Sequence, residues 1–438
     1  MTYQQTVEYL FNRFPLFQNI GAGAYKEGTE NIATFCKELD NPQNDYFTIH
    51  VAGTNGKGSV AHILASILQQ AGYRVGLFTS PHLTDFRERI KVDGVKISER
   101  YVVRFVEEHR EQMEQLGLSF FEATTAMAFQ YFAHSDVEVA VIETGLGGRL
   151  DATNIIKPIL SIITNIGLEH TRYLGDTLDK IAAEKAGIIK RGVPVVVGES
   201  CPQTDEVFRE VAHRNHSKLV FADQKWEVVD SRFGDTSSSF DLHRPCDGRT
   251  QTIELDLAGH YQRKNIITVR AAVTLLRHDT PLNISTRALL SGCRTVCETT
   301  GLRGRWQVVL TEPMVVCDTG HNAHGIKEVT AQVAQCHYRK LFVIFGLAND
   351  KDLGEILPLL PQHAYYIFTR ASVDRAMPAE EIAAAAERYG LEGEVQPTVA
   401  EAYDAARAAA APEDMILVGG STFIVSDFFK HTVGGGAE

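Results

Sequence analysis

Short apolar runs rich in β-branched residues alternate along the chain with longer amphipathic stretches. In the first half, such runs occupy residues 46–52, 75–79, 137–143, 158–164 and 194–197. Nearly continuous apolar character over so few residues is typical of strands that are buried on both faces. After the first run, Ile63, Leu64, Ile67, Leu68 and Ala71 recur at the spacing of one helix face. Strands that alternate with helices predict a parallel sheet covered by helices.

The alternation stops at residues 218–257 and then resumes. This stretch is polar, contains DTSSS and predicts short antiparallel strands joined by loops. Afterwards strands are predicted at residues 314–317, 341–345, 365–369 and 415–418, with helices at 380–388 and 400–411. Because turn residues cluster at 298–304, we predict two α/β domains, at residues 1–299 and 300–438, with a cleft between them.

The composition narrows the classes of function. The 438 residues are 44% hydrophobic and 22% charged, which is typical of a folded protein. The formal net charge of −12 argues against a protein that mainly binds nucleic acid or an anionic membrane. No apolar run approaches the ~20 residues that span a bilayer, and no secretory signal is expected. Seven scattered cysteines favour reduced thiols in a cytoplasmic protein.

The sequence YFTIHVAGTNGKGS at residues 46–59 is the strongest local signal. A buried strand that enters a glycine turn and then a helix directs backbone N–H groups at one point, which suits a phosphate. Lys57 adds a positive charge, and Ser59 offers a hydroxyl to a phosphate oxygen or to Mg²⁺. The spacing departs from the common phosphate loop, because the first glycine is closer and Gly58 separates the lysine from the serine. The alternative is a plain glycine turn, but nucleotide phosphate binding is the favoured interpretation.

Two further residues stand at the carboxyl ends of predicted strands. Glu143 directly follows the run VEVAVI, and His170 lies in SIITNIGLEHT, after the next such run. Parallel sheets bind ligands at this edge, so both residues are candidate metal ligands. Each also has an ordinary interpretation, a turn cap for Glu143 and a structural histidine for His170. Imidazole is moreover an unusual ligand for Mg²⁺, which prefers oxygen.

Lys185 lies on the apolar face of a predicted helix. In LDKIAAEKAGII the inward positions are Leu178, Ile181, Ala182 and Lys185, and Gly187 is expected to end the helix. One interpretation is a lysine whose apolar stem is buried near a helix end. The other is a desolvated amine with a lowered pKa, which reacts with CO₂ to form a carbamate and so supplies a metal ligand. The pattern alone favours the first.

Together, these motifs resemble those of the folylpolyglutamate synthase and dihydrofolate synthase family of the Mur ligase superfamily. The similarity extends from about residue 26 to residue 429. It depends on AGTNGKGS (52–59), TSPHL (79–83), FEATT (121–125), ETGLGGRLDATN (143–154), GLEHT (167–171), EKAGIIK (184–190), GR (304–305) and DTGHNAHG (318–325). Their order along the chain makes the resemblance specific.

The resemblance implies a P-loop parallel-sheet ATP-binding domain followed by a smaller Rossmann-like α/β domain. It assigns the ATP phosphates to Gly53, Thr54, Asn55, Gly56, Lys57, Gly58 and Ser59. It assigns further ATP contacts to Asn265, Arg305, Asp318 and His321, with Asn322 beside them. Ser80, Glu143, His170 and a carbamylated Lys185 would hold Mg²⁺, with two ions expected, and Lys57, His170 and Lys185 would be catalytic.

The same resemblance implies the substrates. The pteridine side would contact residues of three segments: Ala24, Tyr25, Lys26, Glu27, then Ser119, Phe120, Phe121, and finally Leu150, Asp151, Ala152. The implied activity joins L-glutamate to dihydropteroate, to the γ-carboxylate of reduced folates, or to both, through an acyl phosphate made from ATP. A monomeric cytoplasmic enzyme that binds only small molecules, without nucleic acid or membrane partners, is expected.

Two alternatives remain open. The chain could be a monofunctional folylpolyglutamate synthase or another Mur-type amino acid ligase. From a different class, it could be a nucleotide-switched binding protein without ligase chemistry, although Lys185, Asn265 and Asp318 have no evident role there.

Overall fold

The computed structural model describes residues 1–14 and 28–434. They form two compact units. The first consists of Met1–Arg232, Ser238–Asp256 and Gln262–Leu302, and the second of Phe233–Ser237, Leu257–Tyr261 and the chain from Arg303 onward. Residues 233–237 and 257–261 therefore belong to the second unit, although they precede the predicted domain boundary at residue 300.

Helices make up much of both units. Those of the first unit are α1 (Tyr3–Arg13), α2 (Glu30–Glu38), α3 (Lys57–Gln70), α4 (Glu99–Gln115), α5 (Phe120–His134), α6 (Thr171–Leu174), α7 (Leu178–Ala186), α8 (Asp205–Arg214), α9 (Gln262–Asp279), α10 (Thr286–Arg294) and α11 (Val296–Thr300). Those of the second are α12 (Ala323–Val333), α13 (Leu353–Ile356), α14 (Ala379–Glu387), α15 (Val399–Ala409) and α16 (Thr422–Gly434). Capping boxes begin α1, with Thr2 and Gln5, and α5, with Ser119 and Glu122.

A large sheet organises the first unit. Its strands are β1 (Phe47–Ala52), β2 (Val75–Phe78), β3 (Ile90–Val92), β4 (Val95–Lys96), β5 (Val139–Glu143), β6 (Leu160–Ile163), β7 (Val195–Val197) and β8 (Leu219–Phe221), in the order β4-β3-β2-β5-β1-β6-β7-β8. The strands from β2 to β8 in this order are parallel, and β3 and β4 form an antiparallel edge. The carboxyl ends of β1, β5 and β6 therefore meet where the strand order reverses, the usual place for a ligand.

A smaller antiparallel sheet follows. It contains β9 (Glu227–Phe233), β10 (Ser238–Arg244) and β11 (Arg249–Leu255), in the order β11-β10-β9. Strands β10 and β11 pair from Ser238 opposite Leu255 to Arg244 opposite Arg249. The prediction of antiparallel strands in this region is confirmed.

The second unit has its own sheet. Its strands are β12 (Gln307–Thr311), β13 (Met314–Cys317), β14 (Leu341–Phe345), β15 (Ala364–Phe368), β16 (Gly393–Val395) and β17 (Met415–Gly419), in the order β12-β13-β17-β14-β15-β16. All are parallel except β12, which pairs antiparallel with β13. The predicted α/β class is confirmed, with a parallel sheet in each unit.

Apolar side chains bury the faces of these sheets. In the first unit, one core cluster contains Phe78, Phe105 and Phe129, and another contains Phe208. In the second unit, Tyr366 and its neighbours form the corresponding core. Each such side chain, once buried, contributes about 1.5–3 kcal/mol to folding. Within the described part of the chain, no helix combines the length and apolar character needed to cross a membrane. All seven cysteines are free of disulfides.

His50 is a fully buried polar residue in β1. Its Nε2 lies 2.8 Å from the Oγ1 of Thr153, whose own proton is donated to Asp151. His50 must therefore donate through Nε2, which leaves Nδ1 unprotonated, and Nδ1 has no hydrogen-bond partner among the described residues. Burial, together with the charge of Lys190, lowers the pKa of His50 to about 3. The folded protein thus holds a neutral histidine.

The neutral His50 predicts a loss of stability in weak acid. Between pH 6.5 and 3 the unfolded chain binds a proton at this residue and the folded chain does not, so stability falls as the pH falls. Compared with His50→Gln, which does not titrate, the wild type should lose about 2 kcal/mol more unfolding free energy between pH 7.5 and 5. Urea unfolding at a series of pH values measures this difference. Parallel pH profiles for the two proteins would contradict it.

Candidate functional site

The glycine loop occupies the predicted position between β1 and α3. Gly53 and Gly56 adopt positive φ angles, +145° and +84°, and Gly56 is the N-cap of α3 without a side-chain cap. The N–H groups in the first turn of any helix lack intrahelical partners, so this turn, with Gly58 and Ser59, is suited to an anion. The Nζ of Lys57 donates to the carbonyl oxygens of Gly53, at 3.0 Å, and Thr54, at 3.1 Å. Lys57 thus lies against the glycine loop, where it was predicted to add a positive charge.

Asn265 approaches the same loop from α9. A Cβ atom added to Gly56 would lie 2.3 Å from the Oδ1 of Asn265, so only glycine allows this approach. The Nδ2 of Asn265 donates to Gln262 at 2.8 Å, and the Nε2 of Gln262 donates to the Oγ of Ser59 at 3.3 Å. All three side chains are buried. The structure therefore brings the predicted residues Asn265 and Ser59 together through Gln262.

A second set of side chains fixes the loop from the end of β6. Asn165 accepts from the N–H of Asn55 at 2.9 Å and donates to Glu199 at 2.9 Å. Glu199 in turn lies 3.2 Å from the Nζ of Lys264. Sequence reasoning missed this chain of contacts. The only signal was the polar pair TN that ends the predicted strand at residues 158–164.

Lys185 is the least expected member of the site. It lies in the last turn of α7, which ends at Gly187 as predicted, and it is 3% exposed. Its Nζ donates to the carbonyl oxygen of Gly53 at 2.7 Å, the same oxygen that Lys57 contacts. Burial, and then the charge of Lys57, lowers the pKa of Lys185 to about 7, against the opposing effect of Glu169 and Asp151. A large neutral fraction of this amine therefore exists at physiological pH.

The candidate metal ligands occupy three strand ends. Glu143 is the last residue of β5 and is 3% exposed, and its Oε2 accepts from the N–H of Ser80, after β2, at 3.0 Å. His170 is the N-cap of α6 with φ +51°, and its Nε2 lies 3.7 Å from a carboxylate oxygen of Glu169. Thr54 and Gly167 exchange hydrogen bonds at 3.2 and 3.0 Å, which joins the loop that carries His170 to the glycine loop.

These ligands do not form a closed metal site by themselves. Among residues 1–14 and 28–434, no group of three or more His, Cys, Asp and Glu side chains is arranged to hold a metal ion. The four predicted ligands are not such a group, because two of them, Ser80 and Lys185, belong to other residue types. Glu143 and Ser80 do offer the oxygen atoms that Mg²⁺ prefers. The residues present thus fit a divalent cation whose coordination shell is completed by other oxygen ligands.

The residues predicted for the pteridine side have well-defined contacts. Ser119 caps α5, and its N–H and hydroxyl both donate to Glu122, at 2.7 and 2.8 Å. Phe120 is buried, with its ring centroid 5.2 Å from that of Phe11. The ring of Phe121 packs on Phe78 at 5.7 Å and would meet a Cβ on Gly145 at 2.6 Å. Ala24, Tyr25, Lys26 and Glu27 lie outside the described residues.

Asp151 organises the other predicted segment. Its carboxylate accepts from the N–H groups of Gly145, at 2.9 Å, Leu146, at 2.8 Å, and Thr153, at 3.0 Å. Burial nevertheless raises its pKa. Leu150 before it is half-buried and Ala152 after it is buried. This carboxylate thus holds the loop that connects Glu143 to residue 153, under the ring of Phe121.

A buried arginine beside this region was not predicted. Arg89 is 3% exposed, and its Nε donates to the Nδ1 of His82 at 2.7 Å. Its guanidinium lies 5.2 Å from the ring centroid of Phe120. Burial lowers its pKa to about 10, although Glu143 and Glu88 oppose this shift. The signal was present in the sequence as the run FRERI, but a charged run more often marks a solvated face.

The second unit contains the remaining predicted nucleotide contacts. Asp318, after β13, is buried and accepts from the hydroxyl of Tyr261 at 2.6 Å and from the N–H groups of Trp306 and Gly320, both at 2.7 Å. Burial raises its pKa, and these hydrogen bonds act against that shift. Tyr261 was missed, although it is part of the motif HYQRKN that contains Asn265.

The other three residues surround Asp318 along the chain. Arg305 contacts the hydroxyl of Thr319 and donates to the carbonyl oxygen of Gly304 at 3.2 Å. His321 lies 3.0 Å from the carbonyl oxygen of Thr319 through Nδ1, and Asn322 caps α12 by accepting from Gly325 at 2.8 Å. The structure therefore brings Arg305, Asp318 and His321 together within the second unit.

Family models match both units. The Mur ligase middle domain matches residues 51–273, and the Mur ligase glutamate ligase domain matches residues 304–422. Among curated relatives, the folylpolyglutamate synthase of Lacticaseibacillus casei is 31% identical over 99% of this chain and 100% of its own length. The dihydrofolate synthase/folylpolyglutamate synthase of Bacillus subtilis is 32% identical over 93% and 95%.

A longer relative is also similar. The probable bifunctional folylpolyglutamate synthase/dihydropteroate synthase of Haloferax volcanii is 35% identical over 98% of this chain. The chain spans about half, 50%, of the length of that relative.

Solved structures share the architecture of the whole chain. Escherichia coli FolC in complex with DHPP and ADP has a TM-score of 0.85 and 29% identity, over 99% of this chain and 98% of that one. A bifunctional folylpolyglutamate synthase/dihydrofolate synthase with Mn, AMPPNP and L-glutamate bound has a TM-score of 0.81 and 28% identity, over 98% and 97%.

The approach of Asn265 to Gly56 predicts a difference between the two glycines that flank α3. Gly72, just after the helix, also has a positive φ, +92°, but nothing lies within 4 Å of an added Cβ. Gly72→Ala should therefore cost only about 1–2 kcal/mol for its left-handed backbone. Gly56→Ala should cost at least about 1 kcal/mol more, because it also displaces Asn265. Urea unfolding of both variants compares them, and equal losses would contradict the close approach.

Proposed function

The chain belongs to the folylpolyglutamate synthase and dihydrofolate synthase family of Mur ligases, and from this membership we propose that it joins L-glutamate to a pteroate or folate carboxylate at the expense of ATP. One observation carries the proposal. The amines of Lys57 and Lys185 both contact the carbonyl oxygen of Gly53, in a glycine loop that opens a helix. The Lys57 amine and the helix N-terminus together suit the polyphosphate of a nucleotide, while Lys185, as a carbamate, would hold a cation beside it.

The chemistry requires activation of an acid. A carboxylate and an amine at neutral pH form a salt, so the carboxylate oxygen first attacks the γ-phosphorus of ATP, and ADP leaves. The glutamate nitrogen then attacks the acyl carbon of the acyl phosphate, inorganic phosphate leaves, and the ammonium proton is lost. Phosphoryl transfer depends mainly on positioning and on charge neutralisation. Lys57 and the N–H groups of the loop supply both for the terminal phosphates.

Divalent cations fit the residues at the neighbouring strand ends. Ser80, Glu143, His170 and Lys185, as its carbamate, would hold Mg²⁺, and a related enzyme has been solved with Mn, AMPPNP and L-glutamate. When bound, such cations offset the repulsion between the phosphate oxygens and the attacking carboxylate. The contact between Ser80 and Glu143 at 3.0 Å supports this assignment, because it holds a buried carboxylate at the sheet edge.

The surroundings of Lys185 support the proposed carbamate. With a pKa near 7, the amine is substantially neutral at physiological pH. Its nitrogen can attack the carbon of CO₂ and release a proton, which gives a carbamate that carries one negative charge. This change replaces a buried cation beside Lys57 with an anion, and so turns a repulsion into an attraction. It also supplies an oxygen ligand where the amine supplied none.

Arg305, Asp318 and His321 of the second unit are further proposed nucleotide contacts. Asp318 is kept in place by Tyr261 and by two backbone N–H groups, so its carboxylate is fixed before any ligand arrives. Asn265, held by Gln262, is likewise a proposed nucleotide contact. A cytoplasmic location and a monomeric state remain predictions.

The pteridine would lie beside Phe121 and the loop that Asp151 holds. Phe121 offers a flat apolar surface to a flat ring. Ser119, Phe120, Leu150 and Ala152 shape the walls, whereas the carboxylate of Asp151 is already occupied by three backbone N–H groups. A dual activity is favoured, since the relative from Bacillus subtilis is named for both reactions. The relative from Lacticaseibacillus casei is named only folylpolyglutamate synthase, so a monofunctional enzyme is the alternative.

A coupled assay tests the proposed reaction. With ATP and Mg²⁺, ADP release should require both glutamate and a pteridine acid, and the product mass should increase by one glutamyl residue. Dihydropteroate and tetrahydrofolate, supplied in turn, distinguish the dual activity from polyglutamylation alone. Lys57→Ala, which removes a phosphate contact, controls for contaminating ligases and should lower the rate at least about tenfold. ADP release at the same rate with and without glutamate would indicate a nucleotide switch instead of a ligase.

Replacement of Lys185 tests the carbamate. Lys185→Ala should lower ligation by about 100-fold or more, because a metal ligand is lost. Added acetate should restore part of the rate by supplying a carboxylate in the vacated space. Lys180→Ala on the same helix removes an exposed lysine that pairs with Asp176, and should change neither the rate nor its response to acetate. Full activity in Lys185→Ala, with a normal circular dichroism spectrum, would exclude the carbamate role.

A further inference from the structure

A cluster of arginines surrounds Trp226 in the first unit, on residues that the proposed ligase reaction does not use. Trp226 precedes β9 and is 4% exposed. The guanidinium carbon of Arg270, on α9, lies 4.2 Å from its ring centroid, and that of Arg244, at the end of β10, lies 5.4 Å away. Cation–π contacts thus hold two positive charges against one indole ring.

Arg270 makes only neutral hydrogen bonds. Its Nε donates to the side-chain oxygen of Gln251, on β11, at 3.0 Å, and its Nη1 donates to the hydroxyl of Thr274 at 2.7 Å. Among the described residues, no carboxylate forms an ion pair with it. Burial and the charges of Arg277 and Arg244 lower its pKa to about 10, and no anion opposes the shift. The charged groups that act on Arg270 are therefore two other cations, Arg244 and Arg277.

Arg277 is the least satisfied member of the cluster. It lies seven residues after Arg270 on α9, which places it on the same helix face two turns away. Its Nε and Nη2 atoms are buried and have no hydrogen-bond partner among the described residues. Burial lowers its pKa as well. An N–H group that is buried without a partner destabilises the fold, and more so when it is charged.

The carboxylates nearby do not balance this charge. Arg244 pairs with Asp247, where its Nε donates to Oδ1 at 2.8 Å, so one of the three arginines is compensated. Asp279, two residues after Arg277, pairs with Lys218 at 2.8 Å. Arg270 and Arg277 thus leave about two uncompensated positive charges on one face. Both side chains are partly exposed, so a ligand from solvent can reach them.

We propose that Arg244, Arg270 and Arg277 form a binding site for a small oxyanion with two or more negative charges, a phosphate group or a di- or tricarboxylate. The guanidinium fork donates two parallel hydrogen bonds to either kind of group. Such an anion offsets the repulsion that Arg244 and Arg277 exert on Arg270. The site is made by α9, β10 and β11, and includes none of the residues 53–59.

Tryptophan fluorescence provides the test, because the protein contains only Trp226 and Trp306. In a Trp306→Phe variant, inorganic phosphate and, separately, citrate are titrated at constant ionic strength. An anion that moves the guanidinium groups on the indole should change the Trp226 emission in a saturable way. Arg277→Gln in this background should raise the half-saturating concentration at least about tenfold. Arg287→Gln, on an exposed arginine of α10, should leave it unchanged.

The controls distinguish this site from the glycine loop. The response should persist in Lys57→Ala, whose substitution affects only the loop, and its loss there would overturn the proposal. Equal responses in Arg277→Gln and Arg287→Gln, or no saturable response to either anion, would also overturn it. Should Arg277→Gln fold poorly by circular dichroism, Arg244→Gln, at a more exposed position, gives the same comparison. Saturation by one anion alone identifies its class.

Discussion

Two lysine amines that share one carbonyl oxygen are the constraint on which the first unit depends. Lys57 reaches Gly53 from the start of α3, at 3.0 Å, and Lys185 reaches it from the end of α7, at 2.7 Å. Burial, and then repulsion from the charge of Lys57, lowers the pKa of Lys185 to about 7. An anion beside the loop, or conversion of one amine to a carbamate, would reduce the repulsion between Lys57 and Lys185. The proposed ligase chemistry uses both.

The sheet explains why these groups meet. Because β1, β5 and β6 are parallel neighbours, the glycine loop, Glu143 and the segment before His170 emerge at one edge. Hydrogen bonds then fix each of them, Asn55 to Asn165 and Ser80 to Glu143. In the second unit Tyr261 and two backbone N–H groups fix Asp318 in a similar way. Preorganised donors and acceptors of this kind lower the cost of orienting a nucleotide.

The sequence predicted those features that local pattern determines. Buried strands, the glycine loop and the inward position of Lys185 all depend on periodicity or on adjacent residues, and the structure confirms their placement. Contacts between distant residues were missed. Glu199 and Arg277 read as ordinary surface charges in the sequence, because nothing local shows that one meets Asn165 and that the other has buried N–H groups without partners. The hydrogen bonds of Asp151 within its own loop are local, but the sequence pattern did not show them either.

The central claim is that the glycine loop receives the terminal phosphates of a nucleotide. A crystal structure of the protein with Mg²⁺ and a nonhydrolysable ATP analogue measures this most directly. We expect β- and γ-phosphate oxygens within hydrogen-bonding distance of the loop N–H groups and of the Lys57 amine, with Lys185 no longer bonded to Gly53 as a free amine. A triphosphate bound elsewhere, with residues 53–59 empty and both lysines still on the Gly53 carbonyl, would contradict it.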